Sequence, residues 1–351
     1  MTKDASFKKV VRRHAQETGQ RYTEALSDLE GLEARMHHVP AVDDLVAHLR
    51  GRYGVNAVGA TRLGAHHPYI LRIDRSDGPP WVARAFPPAR PREGAEGDAA
   101  ILRFLEAHDF PAERLAADDA VSDFDGGAVL VTRFVEGRPF PDPTTKLGLM
   151  ADLLGRLHAL PPDGSVTRPG GAEGGSDPRR EGSPRQDLLA ALSFLDAVDT
   201  KVAPSERDRF EQLRDRVRTA DDGTGLPEAL VHGNLLHNPD HALLTDSGAV
   251  AINWRGSGRG PRLIDLAWLL WATFRHTATI EVIVDAYRRH IEPTDEELDR
   301  LEAVMAIRPL YLTCFAYRRN IVEGWNEDAF GYSDPDYLRF TAEATRTAFR
   351  R

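Results

Sequence analysis

Alternating apolar and polar residues, the pattern of half-buried strands, are concentrated in one part of this sequence, and helical spacing governs most of the rest. Four short runs predict strands, at Val58 to Leu63, Tyr69 to Ile73, Trp81 to Phe86 and Ala128 to Phe134. A helix is predicted between the last two, at about 97–107. This order predicts an α+β chain with a small β-rich lobe, residues 41–135, and a larger, mainly helical lobe, residues 136–351.

The helical periodicity extends to both sides of the strands. Helices are predicted at 41–52, 150–160, 186–198 and 205–217, and two short strands around a turn at 246–248. Thr294 and Glu297 form a predicted capping box, and Asp334-Pro335 places a proline in the first turn of a helix. Residues 161–185 are rich in Gly, Pro, Ser and charge, which predicts a mobile loop.

Residues 1–40 are predicted to form a helical hairpin around Gly19 that precedes both lobes. Its first helix is basic, so the hairpin either packs on the main body with a solvated charged face or docks an anionic partner.

The overall charge and hydropathy exclude several classes of protein. The 351 residues carry a net charge of -9, which disfavours a nucleic-acid binder. The longest apolar run, Leu263 to Phe274, is interrupted by Asp265 and is shorter than the roughly 20 residues of a membrane span. The N-terminus lacks an apolar secretory segment, and the single Cys314 excludes an internal disulfide. We expect a cytoplasmic protein whose partner is a small molecule, in particular a cationic one, or another protein.

Three neighbouring segments combine strands with polar loops. They are 230–239 (LVHGNLLHNP), 249–254 (AVAINW) and 261–267 (PRLIDLA). The residues alone predict a strand, a polar loop, a β-hairpin and another polar loop that leads into a helix. This order is expected to bring polar side chains of adjacent loops to one site.

These segments resemble the motifs of the aminoglycoside phosphotransferase and choline kinase family, whose fold is like that of the protein kinases. That family reads His-Gly-Asp, an Asn five residues after the Asp, then Ile-Asp-Trp and an Asp-Leu-Ala helix. Segments 154–161, 134–139 and 81–86 are similar to its helix after the hinge, its hinge strand and its lysine-bearing third strand. The resemblance extends over about residues 45–345. It implies a bilobal protein-kinase-like fold and, for the family, ATP and Mg²⁺ as cofactors.

By this resemblance, the catalytic and metal-binding positions hold other residues here. Asn234, beside His232, stands where the family has its catalytic Asp, and Pro239 and Asn253 stand where it has its two metal ligands. Asn cannot act as a general base, and it attracts a hard dication less than a carboxylate does. No metal is therefore expected at the degenerate positions Pro239 and Asn253.

The nucleotide-binding positions implied by the resemblance are also altered. Arg84 takes the place of the Lys, and its acidic partner corresponds to Asp98 or, as an alternative, Glu96. Gly64 is the single glycine of the phosphate loop, and Phe134 and Glu136 belong to the hinge. Asp265 is expected to secure a loop by hydrogen bonding.

These departures lead to one hypothesis and two alternatives. We expect a catalytically impaired pseudo-phosphotransferase that binds a small molecule, a nucleotide or a protein partner in a kinase-like cleft. One alternative is an active ATP-dependent kinase of an aminoglycoside, an amino alcohol or a similar acceptor, with an atypical metal site at His232, His237, Asp240 and His241. The other is a non-catalytic adapter that acts through the N-terminal hairpin.

Two groups of side chains are candidates for binding a ligand. Arg84 and Arg255 would hold an anionic group in place of the metal, or else they are paired with Asp98 and Asp265 or solvated. The candidates on the substrate side are acidic and aromatic residues. Such a combination would bind a cationic ligand through ion pairs and cation–π contacts. The alternative is an ordinary solvated acidic turn next to aromatic residues of the core. The candidates are Trp254, Glu323, Trp325 and Asp328.

Overall fold

The computed structural model describes residues 40–63, 69–161, 166–171, 182–235, 241–273, 275–325 and 328–351. The described chain forms two compact units. The first contains residues 40–99, 115–134 and 197–200, and the second contains residues 100–114, 135–196 and 201–351. Several predictions lie outside the described residues, namely the hairpin as far as residue 39, Gly64, His237, Pro239, Asp240 and most of the loop 161–185.

The first unit contains α1 (Val42–Tyr53) and five strands, β1 (Ala57–Arg62), β2 (Ile70–Arg75), β3 (Trp81–Ala85), β4 (Val121–Phe124) and β5 (Gly127–Arg133). The strands form one antiparallel sheet with the order β1-β2-β3-β5-β4. Every residue of the central strand β3 is buried. Asp125 and Gly126 join β4 to β5, and both have positive φ, 50° and 74°, as a tight two-residue hairpin turn requires.

The predicted strands of this unit are confirmed to within one or two residues, but β4 was not predicted. Val121–Phe124 is only four residues long and contains Ser122 and Asp123, so it carries little β signal. Helix α2 (Arg92–Ala107) begins five residues before its predicted start. Gly94 and Gly97 weaken the local helix propensity there, whereas the burial of Ala95 favours the helix through packing.

The second unit is mainly helical. Its helices are α3 (Pro143–His158), α4 (Pro184–Val198), α5 (Arg207–Arg218), α6 (Leu263–Trp271), α7 (Thr277–Arg288), α8 (Asp295–Met305), α9 (Ile307–Glu323) and α10 (Pro335–Phe349). Helix α3 packs closely on α7, and Gly155 permits the approach because a Cβ there would lie 2.8 Å from the carbonyl oxygen of Tyr287. The capping box of Thr294 and Glu297 and the first-turn proline Pro335 are confirmed.

Two short antiparallel ribbons position the polar loops of the second unit. One pairs β6 (Glu228–Val231) with β9 (Gly258–Pro261), and the other pairs β7 (Ala242–Thr245) with β8 (Gly248–Ala251). The β7–β8 hairpin confirms the predicted turn. Strand β9 was not predicted, because its sequence GRGP has no apolar alternation. Its pairing with β6 brings the residues after β6 beside those before β9.

Among the described helices, none combines the length and the apolar character that crossing a bilayer requires.

Candidate functional site

The loop that follows β6, residues 232–234, has a partner for each of its three backbone N–H groups. The N–H groups of His232 and Gly233 donate to the two carboxylate oxygens of Asp265, at 2.7 Å and 2.8 Å. The N–H of Asn234 donates to Nδ1 of His232 at 3.3 Å. The loop is therefore held from one side mainly by a single buried carboxylate.

The three carbonyl oxygens of the same loop also accept hydrogen bonds from side chains. In chain order, the donors are Oγ of Ser257 at 3.0 Å, Nη2 of Arg308 at 2.7 Å and Nδ1 of His241 at 2.6 Å. Gly233 adopts a φ of 79°, a left-handed conformation that glycine reaches without strain. Side chains from several distant segments thus fix the conformation of the 232–234 loop.

Asp265 lies in the first turn of α6 and is almost fully buried. Burial alone would raise the pKa of its carboxyl. Hydrogen bonding and charge from His158, the nearby His232 ring and the backbone N–H of His232 together hold that pKa below its usual range. His158 in turn lies 3.4 Å from Asp265 through Nε2 and 2.9 Å from the hydroxyl of Tyr287 through Nδ1. The structure therefore places Asp265 as an ionised anchor of the loop.

The partners of His232 determine its protonation state. Its Nε2 lies 3.1 Å from the carbonyl oxygen of Ile252, which accepts only, and its Nδ1 faces the N–H of Asn234, which donates only. The ring is therefore neutral with its proton on Nε2. Burial, reinforced by the nearby His241 and opposed by Asp265, lowers the pKa of His232 to about 4.

This arrangement predicts a pH-dependent stability. The unfolded chain takes up a proton at His232 near pH 6.5, and the folded chain does so only near pH 4. The unfolded state therefore binds more protons between these values, and stability falls as the pH falls through this window. At pH 5, His232 should lower the free energy of unfolding by about 2 kcal/mol relative to pH 7.5.

Urea unfolding at pH 5, 6 and 7.5 measures this effect. His232→Gln keeps a donor and an acceptor but does not titrate, so its stability should depend less on pH than that of the wild type. His276→Gln is the matched control, because His276 is an exposed residue at the start of α7. An unchanged pH dependence in His232→Gln would show that His232 is not the titrating group.

His241 contacts both Asn234 and Asn253. Since its Nδ1 donates to the carbonyl oxygen of Asn234, a neutral ring must accept at Nε2, and the Nδ2 amide of Asn253 lies 2.7 Å from that atom. Asn253 has a φ of 66°, and its N–H donates to the carboxylate of Glu113 at 2.7 Å. Asn tolerates this left-handed conformation better than most residues. The amide of Asn253 is thus oriented by a histidine.

Trp254 is buried in the structure, with 2% of its surface exposed. Its ring packs against His232 at 4.7 Å and edge-on against Phe110 at 5.9 Å between centroids. Trp254, which was predicted to bind substrate, is therefore a buried residue that packs against the rings of His232 and Phe110.

A buried ion pair supports the same loop from α9. Arg308, which donates to Gly233, also lies 3.1 Å from the carboxylate of Asp187 in the first turn of α4. Both side chains are almost fully buried. No local pattern indicated the supporting residues, because their contacts form only in the tertiary fold. Ser257 and Arg308 bond to the loop directly, Asp187 pairs with Arg308, and Glu113 bonds to Asn253.

The predicted nucleotide-binding residues of the first unit are held by other contacts. Arg84 is buried on β3 and donates to Oγ1 of Thr132 at 3.0 Å. Asp98 accepts two hydrogen bonds from Nη2 of Arg90, at 3.0 Å and 2.9 Å. The Phe134 ring lies under the guanidinium of Arg72 at 4.3 Å.

The remaining candidates belong to the second unit. Glu136 is exposed and Arg255 is half-buried. Trp325 is 53% exposed, and the guanidinium of Arg319 stacks on its ring at 3.5 Å. Arg319 also approaches Glu323 at 3.6 Å. Two of the groups predicted to meet a cationic ligand, Glu323 and Trp325, therefore already have an arginine beside them.

Among the described residues, the groups around Asn253 do not fit Mg²⁺, which is held by several oxygen ligands including carboxylates. Asn253 directs its amide nitrogen at His241, and Glu113 uses a carboxylate oxygen to accept a backbone N–H. In the described ranges, no group of three His, Cys, Asp or Glu side chains is placed to hold a metal ion. Both ring nitrogens of His232 and of His241 are already engaged.

Comparison with known proteins identifies similar chains. The model of the phosphotransferase enzyme family matches residues 60–303. No curated protein matches the sequence. A solved amicoumacin kinase, hAmiN, is 14% identical with a TM-score of 0.61, over 91% of this chain and 96% of that one. Macrolide 2′-phosphotransferase MphH from Brachybacterium faecium is 20% identical with a TM-score of 0.52, over 83% and 98%.

Choline kinase LicA from Streptococcus pneumoniae is 12% identical with a TM-score of 0.55, and the match covers 86% of this chain and 98% of that chain. At these identities the similarity concerns the fold, and it shows that the α+β chain has the protein-kinase-like fold of these enzymes.

Proposed function

Because the chain belongs to the phosphotransferase enzyme family, we propose that it is a catalytically impaired member that binds a small molecule without transferring phosphate to it. The similar structures are named as kinases or phosphotransferases of choline, a macrolide and amicoumacin, all of them small molecules. This supports a small molecule as the ligand class.

The bridge from Asn234 through His241 to Asn253 is the observation that carries this proposal. A neutral imidazole that donates at Nδ1 requires a donor opposite Nε2, and an Asn at 253 supplies one. An aspartate at 253 would present only acceptors and would require a charged His241. The amide of Asn253 thus supplies the donor that a neutral His241 requires, but it does not offer the negative charge that a metal site needs.

Loss of these carboxylates removes the main contributions to phosphoryl transfer. The reaction relies on metal ions that neutralise phosphate charge and on a group that accepts or orients the hydroxyl proton. An amide at position 234 cannot accept that proton, and removal of a general base costs about 10²–10⁴-fold in rate. Weak metal binding would lower the rate further, so phosphate transfer should be very slow or absent.

Thermal unfolding with ATP, in the presence and absence of Mg²⁺, tests the proposal. A ligand at one hundred times its dissociation constant stabilises a folded protein by about 2.7 kcal/mol, which such a scan detects. We expect Mg²⁺ to add no stabilisation to that given by ATP alone. A clear shift that requires both ATP and Mg²⁺ would contradict the degenerate-site assignment.

The active-kinase alternative has its own measurement. Labelled phosphate from ATP is followed onto choline, a macrolide and an aminoglycoside, with Asn234→Ala as the matched control. We expect the same background in both proteins. Transfer by the wild type that is lost in Asn234→Ala would establish a working kinase and overturn the proposal.

A further inference from the structure

A cavity of about 430 Å³ opens between helix α5 and residues 328–335. The helix contributes Arg209, Gln212 and Arg216, which lie at positions i, i+3 and i+7 and therefore share one face. The opposite wall includes Asp328 and Phe330. The volume lies within the range of pockets that bind small molecules.

Arg216 is a half-buried cation of this cavity. One of its N–H groups donates to the carbonyl oxygen of Ser333 at 2.8 Å, which fixes the guanidinium at the cavity wall. Burial lowers its pKa, although arginine stays charged in proteins. Across the part of the chain that the structure describes, no carboxylate forms an ion pair with Arg216.

Arg209 is the second cation, two helical turns or about 10 Å away along the axis of α5. Its guanidinium stacks on the ring of Phe330 at 3.5 Å, which orients the plane of the group. Within the described residues its N–H groups make no hydrogen bond. An arginine held in this way loses little freedom when it binds a ligand.

The two acidic residues of the cavity, Asp328 and Asp334, differ in whether their carboxylates already form an ion pair. The carboxylate of Asp334 lies 2.9 Å from Arg275 and also accepts the N–H of Asp336 at 3.0 Å, where it caps α10. Asp328 is exposed and takes part in no ion pair with a described residue. Because Asp334 is already paired with Arg275, the two arginines face a single carboxylate, that of Asp328, which forms no ion pair with a described residue.

We infer that this cavity binds a small molecule that carries a carboxylate or phosphate group, with Arg209 and Arg216 as its anchors. Guanidinium groups form paired, charge-assisted hydrogen bonds with both kinds of anion. Gln212 lies between the two arginines on the same face and donates from its amide. Asp328 accepts from an amino or hydroxyl group of the same molecule. None of the residues that line the cavity belongs to the 232–234 loop, and the inference does not depend on whether phosphate transfer occurs.

Isothermal titration calorimetry of the full chain with citrate and with inorganic phosphate tests the inference. At least one of these anions should bind the wild type, and Arg209→Gln and Arg216→Gln should each weaken that binding about tenfold, the effect of losing a charge-assisted hydrogen bond. Arg319→Gln is the matched control, because Arg319 stacks on Trp325 and does not line the cavity. It should bind as the wild type does.

Arg209→Gln keeps the test decisive if Arg216→Gln disturbs the contact with Ser333, since Arg209 is exposed and holds no backbone group of the described chain. Thermal unfolding of each variant shows whether it remains folded. The inference is overturned if neither anion binds the wild type, if Arg209→Gln binds like the wild type, or if Arg319→Gln weakens binding equally.

Discussion

Asp265→Asn is expected to lower the free energy of unfolding by about 3 kcal/mol, because it leaves buried donors of the 232–234 loop without an acceptor. The two carboxylate oxygens of Asp265 each accept one backbone N–H, from His232 and Gly233. An amide retains one oxygen and places an NH₂ group against the other N–H. Urea unfolding at pH 7.5 measures the loss.

Asp215→Asn is the control for this substitution. Asp215 is exposed on α5 and approaches Arg218 at 3.5 Å, a surface pair whose removal should cost less than about 0.5 kcal/mol. Asp265 also has a pH signature. Since its pKa is lowered in the folded state, its contribution is present above the unfolded pKa of about 3.9 and is lost as the pH falls below it. A loss below 1 kcal/mol at pH 7.5 would show that other groups hold the loop.

Arg308→Met should destabilise the protein by about 3–5 kcal/mol, the cost of removing one partner of a buried ion pair. The substitution leaves the buried carboxylate of Asp187 without this cation and removes the donor to the carbonyl oxygen of Gly233. The expected loss is therefore larger than that for a half-buried arginine on the same helix whose partner Glu323 is solvent-exposed. Arg319→Met is that comparison, and it should cost at most about 1 kcal/mol.

A double variant separates the effect of the unpaired buried charge on stability from the effect of the lost packing. If the unpaired carboxylate causes most of the loss, the double variant Arg308→Met, Asp187→Leu should recover at least half of it, since apolar replacements of a whole buried pair are often well tolerated. Urea unfolding of the two single variants and the double variant completes the cycle. A double variant less stable than either single one would assign the loss to packing and to the carbonyl group of Gly233 instead.

Much of the fold could be predicted because it is local in sequence. The apolar runs of β2, β3 and β5 and the capping box of Thr294 and Glu297 each involve residues a few positions apart. Strands β4 and β9 were missed for the opposite reason. Both are short, and β9 has no apolar residue other than Pro261, so its strand conformation depends on pairing with β6.

The candidate site was only partly predictable. The motif order placed Asn234, Asn253 and Asp265 in adjacent loops, but their supporting residues lie far away in the chain. Glu113 contacts Asn253 across 140 positions, and Arg308 contacts Gly233 across 75. No local spacing rule connects residues at such separations, because the contact exists only after the helices pack.

The sequence by itself determined that positions 234 and 253 carry amides. Asn at 234 and 253 has neither the charge nor the basicity of a carboxylate, whatever the fold around it. Tertiary structure alone decided what those residues do instead. It set His241 between them, and it placed Asp328 in a cavity with two arginines, where the sequence had predicted a cationic ligand. The type of a side chain fixes its possible hydrogen bonds and charge, but only folding selects the partners that it meets.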